Sequence, residues 1–213
     1  MMIASEGELF RKILGAQWNK LHLDIQHRFA RNPLPGKPLR YTGELGELSC
    51  SRFGMLLGYL TRPLIKGALM PYNDADFPVD IMVYSRPDDP AIYKQRIYRL
   101  HGRKPVQFTS FMRESSKGEV LEYVGMGLGM KLLLSVRDGN LFFESDGYFW
   151  EVFGLRIPMP DLLTPGKTFL CHRNNHALQF DIRIDIVHPW FGKTFTQVGV
   201  FREVMDEQES RAA

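Results

Sequence analysis

The residues that could orient a ligand are few and dispersed along this chain of 213 residues. A charged group inside an apolar wall can fix the head of a ligand, and aromatic side chains can line the wall. Core packing and surface exposure are the ordinary roles of such residues, and both readings remain open. Six residues beside strand-like or proline-rich stretches are our candidate ligand contacts: Arg113, Glu122, Tyr148, Trp150, Arg156 and Trp190.

Catalytic motifs are absent from the sequence. It has no G-x-S-x-G, no Walker loop, no H-E-x-x-H and no kinase signature. Cys171 beside His172 would need exposure and a base from elsewhere in the fold to act as a nucleophile. Whether the protein is an enzyme is therefore uncertain, and a cleft joining Arg113, Glu122 and His188 would favour it.

Two short patterns suggest cofactor or metal sites, and neither holds. GMGLGM, residues 125–130, has its third glycine too early for a dinucleotide fingerprint, and strand-like residues follow it. A bend in a sheet explains it better. His172 and His176 are four apart, but RNNH is a turn, so no helix face joins them. We predict neither a cofactor nor a metal.

Composition describes an average globular chain, 44% hydrophobic and 24% charged, with a net charge of +3. The basic residues are scattered, so we expect no nucleic-acid partner. Two distant cysteines, Cys50 and Cys171, fit a reducing compartment better than a disulfide framework. Residues 53–70 contain Arg62, Pro63 and Lys66 and fail as a membrane span. We expect a cytoplasmic protein without a transmembrane segment.

The order of patterns predicts an α+β fold in a single domain, residues 1–213. Helical periodicity covers residues 5–30 and, with Gly58 and Pro63 as interruptions, residues 53–70; a strand is predicted between them, at about 39–51. We assign residues 1–75 to a helical N-terminal part and residues 76–205 to an antiparallel sheet. That sheet is predicted as a curved meander of about 8–10 strands that can close as a calycin-like barrel.

Turn residues support this meander. Asp138-Gly139 is a strong two-residue hairpin signal, and Lys117-Gly118 is a second turn. DIRIDI, residues 181–186, alternates charge with isoleucine, which is typical of a strand with a solvated outer face; closure in the other sense would turn those charges inward.

Residues 154–167, here called the proline strap, combine apolar side chains with Pro158, Pro160 and Pro165. Prolines at this density exclude a long helix and a central strand. We predict that the strap and the helix over 53–70 cover the mouth of an apolar interior.

The chain resembles a bacterial family known only as domain of unknown function 4166. The similarity lies in the stretches FTSF, LEYVGMGLGMKLLLSVRDGNLFF, FGLRIPMPDLLTP and LQFDIRIDIVHPWFGKTFTQVGVF, and the strap pattern is its most distinctive part. Gln197 stands where the family usually has tyrosine. The positions that match the family pattern are Phe108, Ser110, Glu122, Gly125, Gly139, Gly154, Pro158, Pro160, Leu163, Pro165, Pro189, Gly192 and Gly199.

This resemblance implies no activity, but some members are fused behind dehydrogenase-like domains, which implies a dehydrogenase-like partner. Three functions follow as hypotheses. The first is a binding module for an apolar, lipid-like small molecule inside the curved sheet. The second is an enzyme or a substrate-handling partner of a dehydrogenase, and the third is a protein–protein interaction domain.

Overall fold

The fold is known from a computed structural model, which describes residues 6–63, 65, 67–175 and 179–204. It is an α+β architecture in which a few helices precede a closed antiparallel barrel, as the sequence predicts. The helices of the described residues are α1 (Glu6–Leu14), a 3-10 helix (Gly15–Lys20), α2 (Leu23–Ala30), α3 (Arg52–Thr61) and a short 3-10 turn (Asp161–Leu163).

The N-terminal helical segment is divided rather than continuous over residues 5–30. Gly15 has a φ of 52°, a left-handed conformation that only glycine adopts without strain, and a 3-10 helix follows. The break lets α1 and α2 fold back on each other, so that Phe10 and Phe29 meet with their ring centroids 5.5 Å apart. Both rings are buried beneath the helices.

Helix α3 is shorter than the predicted segment 53–70. Ser51 caps its N-terminus by accepting a hydrogen bond from the Gly54 amide at 3.1 Å. The helix ends at Thr61, because Pro63 cannot continue it. Gly58 does not interrupt it; a Cβ there would lie 2.8 Å from the Leu69 carbonyl oxygen, so glycine permits the following segment to pack against α3.

The described residues form eleven strands. Their bounds are β1 (Leu39–Cys50), β2 (Phe77–Arg86), β3 (Asp89–Tyr98), β4 (Val106–Glu114), β5 (Val120–Gly125), β6 (Leu128–Arg137), β7 (Asn140–Val152), β8 (Leu155–Pro158), β9 (Lys167–Asn174), β10 (Gln179–His188) and β11 (Gly192–Glu203).

Ten of these strands close into a barrel, within the part of the chain that the structure describes. The sheet order is β6-β5-β4-β3-β2-β1-β11-β10-β9-β7-β8, and β6 also pairs with β7. Strand β8 is the extra one, a hairpin extension of β7. β1 lies inside the predicted helical part, yet it pairs with both β2 and β11, so the sheet begins well before residue 76.

The predicted turns join the strands as expected. Asp138 and Gly139 have φ angles of 50° and 74°, the conformation of a tight hairpin between β6 and β7. Gly125 and Gly127, with φ angles of 132° and 76°, form the bend between β5 and β6. The glycine-rich step is therefore a turn of the sheet.

The barrel has two different ends. At the helical end, α1 and α2 pack against β6 and β9 and fill the opening with Phe10, Ile25 and Phe29. At the strap end, α3 lies beside β1 and β11, and the proline strap, which includes β8, connects β7 to β9. No helix among the described residues has the length and apolar character needed to cross a bilayer.

Candidate ligand-binding cavity

The barrel encloses a cavity of about 270 Å³ between its two ends. Side chains alternate across each strand, so every second residue faces the lumen. On β10 the inward residues are apolar, including Phe180, Ile182 and Ile184, whereas the charged residues of DIRIDI face outward. Arg183 and Asp185 form an ion pair on the outer face, as the first reading of that motif predicts.

The strap end of the cavity is apolar. Leu57 of α3 and Ile65 in the turn after it line the cavity, together with Leu69. From the other side, Leu163 and Pro165 of the proline strap line it too. Helix α3 and the strap therefore both form part of the cavity wall at this end.

Besides the pairing of β8 with β7, two hydrogen bonds fasten the proline strap to the barrel. Thr194 on β11 donates a hydrogen bond to the Pro165 carbonyl oxygen at 2.6 Å, and the Met159 amide donates to the Tyr148 carbonyl oxygen at 2.9 Å. Gly166 lies against the β10 backbone, where a Cβ would come within 2.4 Å of the His188 nitrogen. The strap is thus held over the end of the barrel by backbone contacts.

The outer face of the strap is apolar and exposed. Leu155 and Ile157 are 71% and 53% exposed, and Phe153 just before the strap is fully exposed. The strap therefore presents apolar side chains both to the cavity and to solvent.

The helical end of the cavity is cationic. Arg28 of α2 and Lys94 and Arg96 of β3 line it. The Arg28 guanidinium stacks on Phe180, with Cζ 3.8 Å from the ring centroid. Burial lowers the pKa of Arg28 to about 10. Its Nε and Nη2 atoms are buried and donate no hydrogen bond to any described residue.

His172 of β9 lies in the same region. Its ring is enclosed by Phe29 and Phe143 at centroid distances of 5.1 and 5.9 Å, and by Phe180 at 6.2 Å. Its Nδ1 is buried without a hydrogen-bond partner among the described residues. The pKa of His172 lies well below its ordinary value, first because of burial and then because of three nearby cations: Arg28, Lys94 and Arg96. The imidazole is therefore neutral at neutral pH.

Glu122 belongs to a chain of hydrogen bonds in the lumen. The Ser110 hydroxyl donates to Glu122 Oε1 at 2.6 Å, and Arg96 Nη1 donates to Ser110 Oγ at 3.1 Å. Glu122 is the one carboxylate that the described residues contribute to the cavity wall. The Ser110 hydroxyl that holds it is also contacted by Arg96. Arg31, which lines the cavity as well, pairs with Glu203.

Tyr148 also faces the cavity. Its hydroxyl lies 2.6 Å from Thr168 Oγ1. Burial raises the pKa of Tyr148 to about 12, so the phenol stays protonated. Glu122 and Tyr148 are the two predicted contacts that line the lumen.

The other four predicted contacts lie outside the lumen. Trp150 is at the strap-end rim of β7, 49% exposed, with Nε1 donating to the Met126 carbonyl oxygen. Trp190 is 70% exposed in the turn between β10 and β11. The structure gives neither indole a place in the cavity wall.

Arg113 and Arg156 sit on the outer surface, where both bind Glu151. Arg113 Nη2 donates to Glu151 Oε1 at 2.9 Å, and Arg156 Nε donates to Oε2 at the same distance. Tyr123 completes this outer network through a 2.6 Å bond to Glu151. Arg113 follows Met112 on β4, and since Met112 faces inward, Arg113 must face outward.

The trio that would favour an enzyme does not converge. Glu122 is in the lumen and Arg113 is outside. His188 is buried in a third place, beneath Phe53 of α3, with Nδ1 accepting hydrogen bonds from the Trp190 and Phe191 amides. The described residues contain no group of three potential metal ligands, and His176 lies outside them.

Sequence reasoning did not place Arg28, Lys94, Arg96 and His172 in the cavity wall. One signal was present: in IYKQRIY, Lys94 and Arg96 alternate with outward residues and share a face with Tyr98, which is buried. For Arg28 no comparable signal exists, because its position depends on how α2 docks on the barrel.

Comparison with known proteins identifies the family. The chain belongs to the family described as Domain of unknown function (DUF4166), whose model matches residues 21–201. That range runs from the end of the 3-10 helix into β11 and so includes the barrel wall from β1 onward. No curated protein and no solved structure matches the chain.

Proposed function

We propose that this protein is a small-molecule-binding module that holds an apolar, lipid-like ligand inside its barrel. The observation that carries the proposal is the cavity of about 270 Å³, lined mainly by apolar side chains, in the lumen of a ten-stranded barrel. Protein interiors are ordinarily packed without voids of that size, and about eight strands already enclose enough room for one small ligand.

The two ends of the barrel support this function in different ways. The helical end is filled by buried aromatic and aliphatic side chains of α1 and α2. At the strap end, the cavity wall consists of α3, the turn after it and the strap, which are short segments. We infer that the ligand enters at the strap end, since short connecting segments open more readily than barrel strands.

The first test is a search for a ligand in freshly purified protein. Native mass spectrometry without delipidating steps should reveal a bound mass, and organic extraction should recover an apolar compound. Protein stripped of lipid should bind the neutral dye Nile red with a blue-shifted emission.

Neighbouring leucines on β6 offer a matched pair of variants. Leu132 lines the cavity, and Leu133 faces outward and is 47% exposed. Leu132→Trp should abolish Nile red binding by filling the lumen, whereas Leu133→Trp should bind it normally. Leu170→Trp provides a second filling variant should the first fail to fold. Binding that survives both filling variants, or wild-type protein that takes up no dye and no lipid, would contradict the proposal.

The enzyme alternative is weaker, since Arg113, Glu122 and His188 lie in three separate places. A dehydrogenase-like partner stays a prediction that rests on the family resemblance. Two free buried cysteines, Cys50 and Cys171, support the proposed cytoplasmic location.

An interaction domain is the second candidate, because the strap exposes Leu155, Ile157 and Leu163 to solvent. Light scattering on the purified chain tests whether this surface mediates self-association. If the wild-type chain and Leu155→Ser are both strictly monomeric, the exposed strap does not mediate self-association.

A further inference from the structure

We propose that the ligand is an amphipathic carboxylic acid whose carboxylate binds the Nε and Nη2 edge of Arg28. This inference rests on the proposed function and adds the chemistry of the head group. The apolar chain would extend from Arg28 toward α3 and the proline strap.

The geometry of Arg28 defines the head-group site. Its guanidinium lies against Phe180, and Phe180 and Arg28 both line the cavity. In a guanidinium, Nε–H and one Nη–H point the same way along one edge, and that edge matches the two oxygens of a carboxylate. The two nitrogens on this edge of Arg28 are buried and donate to no described residue. A buried donor without a partner costs free energy, so an acceptor brought by a ligand is favoured there.

The neighbours of Arg28 favour an acidic head group. Among the described residues, four arginine and lysine side chains line the cavity, Arg28, Arg31, Lys94 and Arg96, against one carboxylate, Glu122. Glu122 is held by the Ser110 hydroxyl and Glu203 pairs with Arg31, so neither carboxylate bonds the Nε and Nη2 atoms of Arg28. A single negative charge from the ligand reduces the cationic excess in a region of low dielectric constant.

His172 supplies a second polar contact without adding charge. It stacks near Phe180 and faces Phe29, the two rings that also contact Arg28. Its Nδ1 is buried and has no partner among the described residues. A neutral imidazole beside an arginine can bond a carboxylate oxygen or a carboxylic hydroxyl, according to its tautomer.

The polarity of the cavity then sets the orientation of the ligand. The cations lie toward the helical end, where α2 closes the barrel, and the strap end is lined by Leu57, Ile65 and Leu163. An acid would enter head first, with its alkyl chain left against the apolar wall.

Isothermal titration of the delipidated full chain with decanoate, decan-1-ol and decyl phosphate at about pH 7.5 tests the inference, since decanoic acid is then ionised. Decanoate should bind at least about tenfold more tightly than decan-1-ol, as expected for hydrogen bonds to a charged group. Equal affinities for the acid and the alcohol would overturn the inference while leaving the proposed function intact. Tighter binding of decyl phosphate than of decanoate would overturn the choice of a carboxylate.

Variants separate the role of Arg28 from general charge. Arg28→Gln should weaken decanoate binding about tenfold and change decan-1-ol binding by less than about threefold. Lys94→Gln should weaken decanoate binding by a smaller factor than Arg28→Gln does. It is the substitute test variant if Arg28→Gln fails to fold. Arg40→Gln, an exposed arginine on β1, is the control and should bind both ligands normally. If both Arg28→Gln and Lys94→Gln bind decanoate as tightly as wild type does, the inference is overturned. If wild-type protein binds none of the compounds, the proposed function is overturned as well.

Discussion

The guanidinium of Arg28 lies 3.8 Å from the centre of the Phe180 ring, inside a barrel whose wall is mostly apolar. The ring provides a cation–π contact for the charge, yet Nε and Nη2 remain without hydrogen-bond acceptors among the described residues. The arrangement costs stability in the ligand-free protein, and functional sites commonly carry such costs.

Replacing Arg28 with methionine should therefore stabilise the delipidated protein. Removal of a buried, incompletely paired charge should contribute about 1 kcal/mol or more, which corresponds to about 2–4 °C in the unfolding midpoint of a domain this size. Differential scanning calorimetry of Arg28→Met measures it. Arg40→Met on the outer surface should stay within about 0.5 kcal/mol of wild type. A large loss of stability in Arg28→Met would mean that Arg28 is a structural residue.

Acid pH should destabilise the protein through His172. The pKa of His172 is lowered in the folded state by burial and nearby cations, whereas in the unfolded chain it is about 6.5. The unfolded state thus binds the proton more readily, so the contribution of His172 is complete above about pH 6.5 and declines as the pH falls below that value.

Urea unfolding across this range gives the measurement. Wild type should lose up to about 1.4 kcal/mol per pH unit below pH 6.5 from this one group, and His172→Leu should lose correspondingly less. Parallel pH profiles for wild type and His172→Leu would show that this imidazole is not shielded from protons.

A series of straight-chain alcohols should report the length of the apolar part of the cavity. Each methylene transferred from water to an apolar wall contributes about 0.8 kcal/mol, so affinity should rise about fourfold per added carbon until the cavity is full. Displacement of Nile red measures each affinity. Ile184→Phe narrows the lumen, so the rise in affinity should stop at a shorter alcohol in that variant. Affinities that do not depend on chain length would contradict an enclosed apolar cavity.

Gly129 should tolerate no side chain. A Cβ at this position on β6 would lie 2.8 Å from the Glu122 carbonyl oxygen and 2.8 Å from the Phe149 ring. Gly129→Ala should cost about 1–3 kcal/mol in urea unfolding, because two neighbouring strands must shift. Gly46→Ala, where the atom nearest to the added methyl group would be 3.8 Å away, should cost less than about 0.5 kcal/mol. Equal costs would show that β6 accommodates the methyl group.

The sequence predicts the barrel better than it predicts the cavity wall. Strand alternation and turns such as Asp138-Gly139 are local signals. They predict the antiparallel strands and the bend at Gly125 that the structure shows. Closure through β1 and β11 depends on a pairing across most of the chain, for which a single sequence carries no local signal. The same holds for α2, whose docking places Arg28 in the lumen.

Arg113 and Glu122 illustrate the limit for individual residues. Both are charged and both lie on predicted strands, but Glu122 faces the lumen and Arg113 binds Glu151 outside. A strand pattern separates the two faces without telling which face is concave. Burial of the neighbours does not decide the direction either, since Met112 beside Arg113 is buried and so are Leu121 and Tyr123 beside Glu122.

The pairing of β1 with β11 also has a consequence for biogenesis. Residues 39–50 are synthesised well before residues 192–203, with which they pair. Contacts between residues this far apart in the sequence form slowly, so closure of the barrel should be a late event in folding. Until then the edge strands of the nascent chain have unpaired backbone N–H and C=O groups, which makes the chain prone to aggregate.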